Sequence, residues 1–149
     1  LMALMPAETS AKISGRGTTN GVEPVRGLIV SKGGKSSKGK FVVPEFEKLK
    51  DNYDLVWEWE GCSQLIKTYA ILQKYVDQAI SGNTYYNKNN FPDEKIPLKL
   101  VASTIFDAYK YGLKTLYYNN NDDSVKEFNV SNEVSAVLDD DASCEACTL

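Results

Sequence analysis

The chain has 149 residues, 42% of them hydrophobic, enough for one packed domain of ordinary size. It carries a formal net charge of −3 and no histidine, which removes the commonest general base and the commonest zinc ligand. No apolar run approaches the ~20 residues that cross a bilayer.

The charge is unevenly spread. From Asn120 onward, Asp122, Asp123, Glu127, Glu133, Asp139, Asp140, Asp141 and Glu145 oppose the single Lys126, so this stretch is −7 and residues 1–119 are +4. That split marks a body, residues 1–119, and a flexible acidic tail, residues 120–149, and argues against a nucleic-acid-binding domain. Three cysteines are an odd number, and Leu1–Ala7 lacks the basic flank of a secretion signal. A reducing cytoplasm is the expected compartment.

In chain order, "LMALM" reads as a short buried strand, and its abrupt apolar opening suits the back part of a longer protein. "PAETSAKISGRGTTNGVEP" is a long loop with a short helix starting near Glu8. "VRGLIVSK" and "KFVVP", joined through "GGKSSKG", read as a β-hairpin with a glycine-rich basic tip. "EFEKLKD" gives one or two helical turns. The clearest helix is "GCSQLIKTYAILQKYVDQAISGN", where apolar residues recur at three- and four-residue steps and Gly82 falls where a C-terminal cap belongs. "TYYNKNNFPDEKIP" reads as a turn-rich connection. A second helix begins at Pro97 and runs to Gly112, followed by a strand, "LKTLYYN". This order of elements suits an α/β protein.

Three places could carry chemistry. The terminal "SCEAC" places Cys144 and Cys147 close enough for a disulfide or for half of a zinc site. Zinc wants four ligands, and the chain adds only Cys62. Exposed incidental thiols are a liability, which leaves a thiol–disulfide relay. The neighbouring acids raise the thiol pKa, so this pair suits an arm that is carried to its partner better than a fast attacker on arbitrary disulfides. Glu8, Thr9 and Ser10 stand at a loop-to-helix start, where backbone N–H groups and hydroxyls can hold an anion. Ser and Thr before a helix are more often simple caps, and the charge of Glu8 argues further against a phosphate. Tyr117 and Tyr118 are adjacent in a strand, so their rings should face opposite ways, one inward and one outward; phenols that must touch there need a local twist or bulge. Tyr85 and Tyr86 form a second such pair with no evident purpose.

Taken together, "LMALMPAETS", "TTNGVEPVRG", "VPEF", "YKYGLKTLYYNN" and the terminal "CEAC" resemble, in order and spacing along essentially the whole chain, the C-terminal segment of the large subunit of class Ia ribonucleotide reductase, of the bacterial and T-even-phage type. The resemblance implies the C-terminal part of a ten-stranded α/β barrel with a hairpin insertion and a disordered acidic tail. It implies an enzyme that reduces ribonucleoside diphosphates by radical chemistry. Glu8, Thr9 and Ser10 would then lie at the substrate's diphosphate, Tyr117 and Tyr118 would pass the radical, and Cys144 and Cys147 would re-reduce the active-site disulfide. Implied partners are the N-terminal part of the large subunit, a small subunit with a di-iron tyrosyl radical, and thioredoxin or glutaredoxin. No cofactor belongs to this segment itself, and ATP or deoxynucleotide effectors would bind the N-terminal part.

Two departures accompany the likeness. The Cys-x-x-Cys gap is shorter than in some relatives. The family's radical-bearing cysteine, its disulfide-forming cysteines and its acid–base Asn and Glu cannot be placed here, which leaves Cys62 as a packed thiol and the segment inactive by itself. A competing expectation is a stand-alone redox carrier or interaction module that uses only the Cys-x-x-Cys arm.

Overall fold

A computed structural model describes residues 1–13, 18–19, 21–34 and 37–122. The chain is a mixed α/β structure with four helices, α1 (Glu8–Ile13), α2 (Phe46–Leu49), α3 (Ser63–Gln73) and α4 (Leu98–Lys110), among these residues. Its strands are β1 (Ile29–Gly34), β2 (Ser37–Val42), β3 (Gly82–Asn87) and β4 (Leu116–Asp122). β1 and β2 pair antiparallel, from Ile29 opposite Val42 to Gly34 opposite Ser37. β3 and β4 pair in parallel, and α4 makes the crossover that parallel neighbours require.

The core lies where α3 and α4 cover β3. Val56, Cys62, Leu65, Ile66, Tyr69, Ile80, Tyr85, Tyr86 and Ala108 form it. Every residue of β3 is buried, as in a strand covered on both faces. Such a strand normally reads as a run of Val, Ile and Leu. This one is Gly-Asn-Thr-Tyr-Tyr-Asn, and the expectation of a turn-rich connection from Thr84 fails there. The strand tolerates its polar side chains because remote partners satisfy them. Asn87 Nδ2 donates to Trp57 O at 3.0 Å, and Asn83 Nδ2 donates to Glu23 Oε1 at 2.5 Å.

The α3 expectation is corrected in the same region. The helix stops at Gln73 although apolar spacing continues to Ile80, and Gly82 opens β3 instead of capping a helix. The buried Gln73 side chain accounts for the stop. Its Nε2 donates to Gln78 O at 2.9 Å and Val76 O at 3.3 Å, while its Oε1 accepts the Ile80 N–H at 3.1 Å. One amide thus satisfies three backbone groups of the turn that replaces the expected helix, and Ile80 still reaches the core.

α4 follows its sequence signals closely. Pro97 stands at its N-cap. At the other end Gly112 takes φ +83°, its N–H donates to Tyr109 O at 3.1 Å, and the Leu113 N–H donates to Ala108 O at 3.0 Å. These two bonds are the Schellman pattern, which needs a left-handed residue where glycine sits. α1 starts at Glu8 as expected, and α2 with the 3-10 turn Lys50–Asn52 matches the expected short helix.

Leu1–Met5 is not a strand. Met2 O accepts the N–H groups of Asp77 (2.9 Å) and Gln78 (3.2 Å), and Met2 N donates to Asp77 Oδ2 at 2.6 Å, so this segment bonds to a turn instead of a ladder. Leu1 and Met5 are exposed, and only Leu4 packs on the core. β4 runs on through Asp122, three residues past the expected strand end at Asn119. Among the described residues no helix is long and apolar enough to cross a membrane.

Candidate functional site

The strand register produces an unusual geometry at the adjacent tyrosines. Gly82 pairs with Leu116 and Thr84 with Asn119, so two steps along β3 match three along β4. The extra residue makes a bulge at Tyr117–Tyr118, an uncommon feature of a parallel pair. A regular strand would send the two rings to opposite faces. Here their centroids lie 4.0 Å apart at 52°, and the two phenol oxygens share a hydrogen bond of 3.0 Å. Both side chains are exposed. The Tyr118 phenol is pushed above the usual tyrosine range, first by its hydrogen bond with Tyr117 and then by the cost of charging one phenol beside another.

Bulging removes the Tyr118 N–H from the ladder, and a side chain takes it up. It donates to Asn83 Oδ1 at 3.1 Å, while Asn83 Nδ2 donates to the buried Glu23. Glu23 is a hub. Oε1 also accepts the Tyr69 hydroxyl at 3.2 Å, Oε2 accepts the Tyr85 hydroxyl, and Arg26 forms an ion pair with Oε2 at 3.6 Å. Arg26 further donates to the Tyr85 oxygen at 2.8 Å. The Tyr69 and Tyr85 phenols are both held well above their usual range. Burial is the larger cause for each, and the adjoining Glu23 adds to it.

The other expected sites resolve differently. Ser10 lies exposed in the first turn of α1, whereas Glu8 and Thr9 are described by backbone alone. Cys144 and Cys147 lie outside the described residues. Cys62 is buried at the N-cap of α3, where its Sγ donates to Tyr85 O and accepts the Tyr85 N–H, both at 3.1 Å. Burial pushes its pKa up, which suits a packing thiol and not a nucleophile. Among the described residues no three His, Cys, Asp or Glu side chains are grouped to hold a metal.

Sequence reasoning brought no attention to Glu23, Asn83 or Tyr85 as a unit. Glu23 lies 60 residues from Asn83 and 62 from Tyr85, so no local spacing could have joined them. The one local signal was Arg26, three positions after Glu23.

The family profile described as "Ribonucleotide reductase, barrel domain" matches residues 45–119, which covers α2 through most of β4 and half of the chain. The chain belongs to the ribonucleotide reductase barrel-domain family. Ribonucleoside-diphosphate reductase subunit alpha of Haemophilus influenzae is 45% identical over 149 residues, covering all of this chain and 19% of that protein. Ribonucleoside-diphosphate reductase 1 subunit alpha of Escherichia coli is 40% identical over 149 residues, and ribonucleoside-diphosphate reductase subunit alpha of enterobacteria phage T4 is 36% identical over 151, each again covering all of this chain and 19% of the relative. The chain therefore spans about a fifth of the length of the reductase relatives it matches.

Proposed function

We propose that this chain is the part of a ribonucleoside-diphosphate reductase large subunit that carries the tyrosine relay, the substrate-phosphate loop and the tail dithiol. The observation that carries the reading is the Tyr117–Tyr118 pair, brought into hydrogen-bond contact by a bulge. If one phenol transfers an electron and a proton to its neighbour's phenoxyl, the first becomes the radical and the second returns to phenol. No net charge moves, so the step suits a pair that shares a hydrogen bond. The radical comes from a small subunit, where the di-iron centre would reside.

The phosphate role falls to the start of α1, where the first N–H groups of a helix have no partner within it. Glu8, Thr9 and Ser10 form this turn, with backbone amides and the Thr9 and Ser10 hydroxyls as donors to a diphosphate. Cys144 and Cys147 act last. One tail thiolate attacks the active-site disulfide, and the second resolves the mixed disulfide. Two electrons and two protons pass inward and a tail disulfide remains, which thioredoxin or glutaredoxin reduces. The catalytic cysteines and the effector sites for ATP and deoxynucleotides belong to the N-terminal part of the large subunit. A ten-stranded barrel completed by that part would cover apolar side chains exposed here, among them Leu98, Phe106 and Tyr109 on α4.

A graft tests this. These 149 residues replace the corresponding segment of the Escherichia coli alpha subunit, and deoxynucleotide formation is measured with its small subunit and thioredoxin. Turnover supports the proposal. A grafted subunit that binds substrate and small subunit yet forms no deoxynucleotide defeats it.

A further inference from the structure

A lone pair of strand tyrosines should separate, and what holds Tyr117 and Tyr118 together lies outside the pair. The bulge leaves the Tyr118 N–H without a ladder partner, and Asn83 Oδ1 accepts it at 3.1 Å. The Asn83 amide can be oriented in only one way. A backbone N–H can only donate and a carboxylate can only accept, so the amide oxygen must face Tyr118 and its nitrogen must face Glu23, 2.5 Å away. Glu23 is held in turn by Tyr69, Tyr85 and Arg26. Both Asn83 and Glu23 are buried, at 7% exposure each, whereas the tyrosine rings they govern are exposed at 58%. A rigid buried polar unit therefore stands behind a solvent-facing pair whose own packing could not fix it. Asn120 adds a lesser tie, its Nδ2 donating to Thr84 O at 3.2 Å.

We infer that Glu23 and Asn83 are positioning residues for the radical relay, locking the β4 bulge that keeps the Tyr117 and Tyr118 phenols in hydrogen-bond contact. This rests on the relay reading proposed above. Neither residue exchanges an electron or a proton with the phenols. Glu23 sets the orientation of the Asn83 amide, Asn83 holds the Tyr118 backbone, and the backbone sets the distance between the two oxygens. Coupled transfer of an electron and a proton is steep in that distance.

The test exchanges the two groups within the complete large subunit. Asn83→Asp keeps an oxygen for the Tyr118 N–H but sets a carboxylate against Glu23. Glu23→Gln added to Asn83→Asp restores one amide and one carboxylate. In that double variant the amide nitrogen at position 23 faces the carboxylate at position 83, and the amide oxygen remains on the side of Tyr85 and Arg26. Two quantities are read. One is the ionisation of a fluorotyrosine at position 118, followed by its fluorine resonance, which reports contact with Tyr117 independently of any turnover. The other is deoxynucleotide formation with the small subunit, alongside KM for the diphosphate.

Asn83→Asp should bring the position-118 ionisation down toward that of the denatured chain. It should also lower kcat by on the order of a hundredfold with KM unchanged, as loss of alignment at a distance does. The double variant should recover both. An unaltered position-118 ionisation in Asn83→Asp overturns the inference, as does a double variant no better than the single one. If the ionisation falls and turnover persists, the phenols have separated without consequence. That outcome overturns the relay reading itself, and with it the positioning role.

Discussion

Cys62 Sγ bonds both backbone groups of Tyr85, receiving the N–H and donating to the carbonyl, each at 3.1 Å. The start of α3 is thus tied to the middle of β3 by a thiol. Cys62→Ala should leave buried backbone groups unpaired and cost about 1–3 kcal/mol for each that finds no other partner. Cys62→Ser keeps donor and acceptor in place and should cost less. Denaturant unfolding of the two variants compares them; equal losses would show that volume, not hydrogen bonding, is what Cys62 contributes. Native-state labelling gives a second reading. Of the three thiols in the chain, Cys62 should stay unmodified by an aromatic disulfide reagent until unfolding.

The Tyr69 and Tyr85 phenols set an alkaline limit on stability. Their folded pKa values are raised and their unfolded values are about 10, so the unfolded chain releases these protons first as pH climbs. Stability is therefore complete below pH about 10 and declines above it, by up to about 1.4 kcal/mol per pH unit for each phenol, until the folded pKa is passed. Tyr85→Phe should flatten that decline, though it also deprives Glu23 of a donor and lowers stability at neutral pH. Unfolding measured from about pH 8 to about pH 11 tests the pair of effects. An unchanged alkaline slope in Tyr85→Phe would mean that the phenol ionises normally.

Legibility followed the range of the interactions. α4 was readable because its Pro97 start and Gly112 stop are local devices, set by the backbone requirements of those residue types. The short α1 and α2 also lie where their sequence stretches placed them. β3 was not readable, since glycine and asparagine favour turns, and Asn83 and Asn87 are accommodated in the strand only by remote partners, Glu23 and Trp57. α3 was read too long because apolar spacing cannot reveal that Gln73 will clamp the chain into a turn. The touching tyrosines were legible only conditionally. Contact needed a bulge, and the bulge depends on a side chain 35 residues from Tyr118.

The loop before α1 predicts a substrate effect without a folding effect. Thr9→Val together with Ser10→Ala, in the complete large subunit, removes the hydroxyl donors and leaves the backbone amides. Affinity for a diphosphate substrate should weaken by roughly 1–3 kcal/mol if the lost hydroxyls bond phosphate. Equilibrium binding measures it, and unchanged affinity would return these residues to helix capping.

The two redox systems should fail in different ways. Tyr117→Phe or Tyr118→Phe retains the ring and its packing but removes the phenol that the other contacts. Substrate binding should survive, and turnover should stop whatever reductant is supplied, because no radical reaches the catalytic thiol. Cys144→Ser or Cys147→Ser leaves the phenols untouched and breaks the dithiol arm. Turnover should then cease with thioredoxin or glutaredoxin yet persist in part with dithiothreitol, a dithiol small enough to reach the active-site disulfide unaided. Single-turnover assays sharpen the contrast. A pre-reduced cysteine variant should complete its first turnover at the normal rate, since re-reduction is needed only afterwards, whereas a tyrosine variant should complete none. Rescue of the tyrosine variants by dithiothreitol, or normal multiple turnover of the cysteine variants on thioredoxin, would mean that these residues do not serve separate relays.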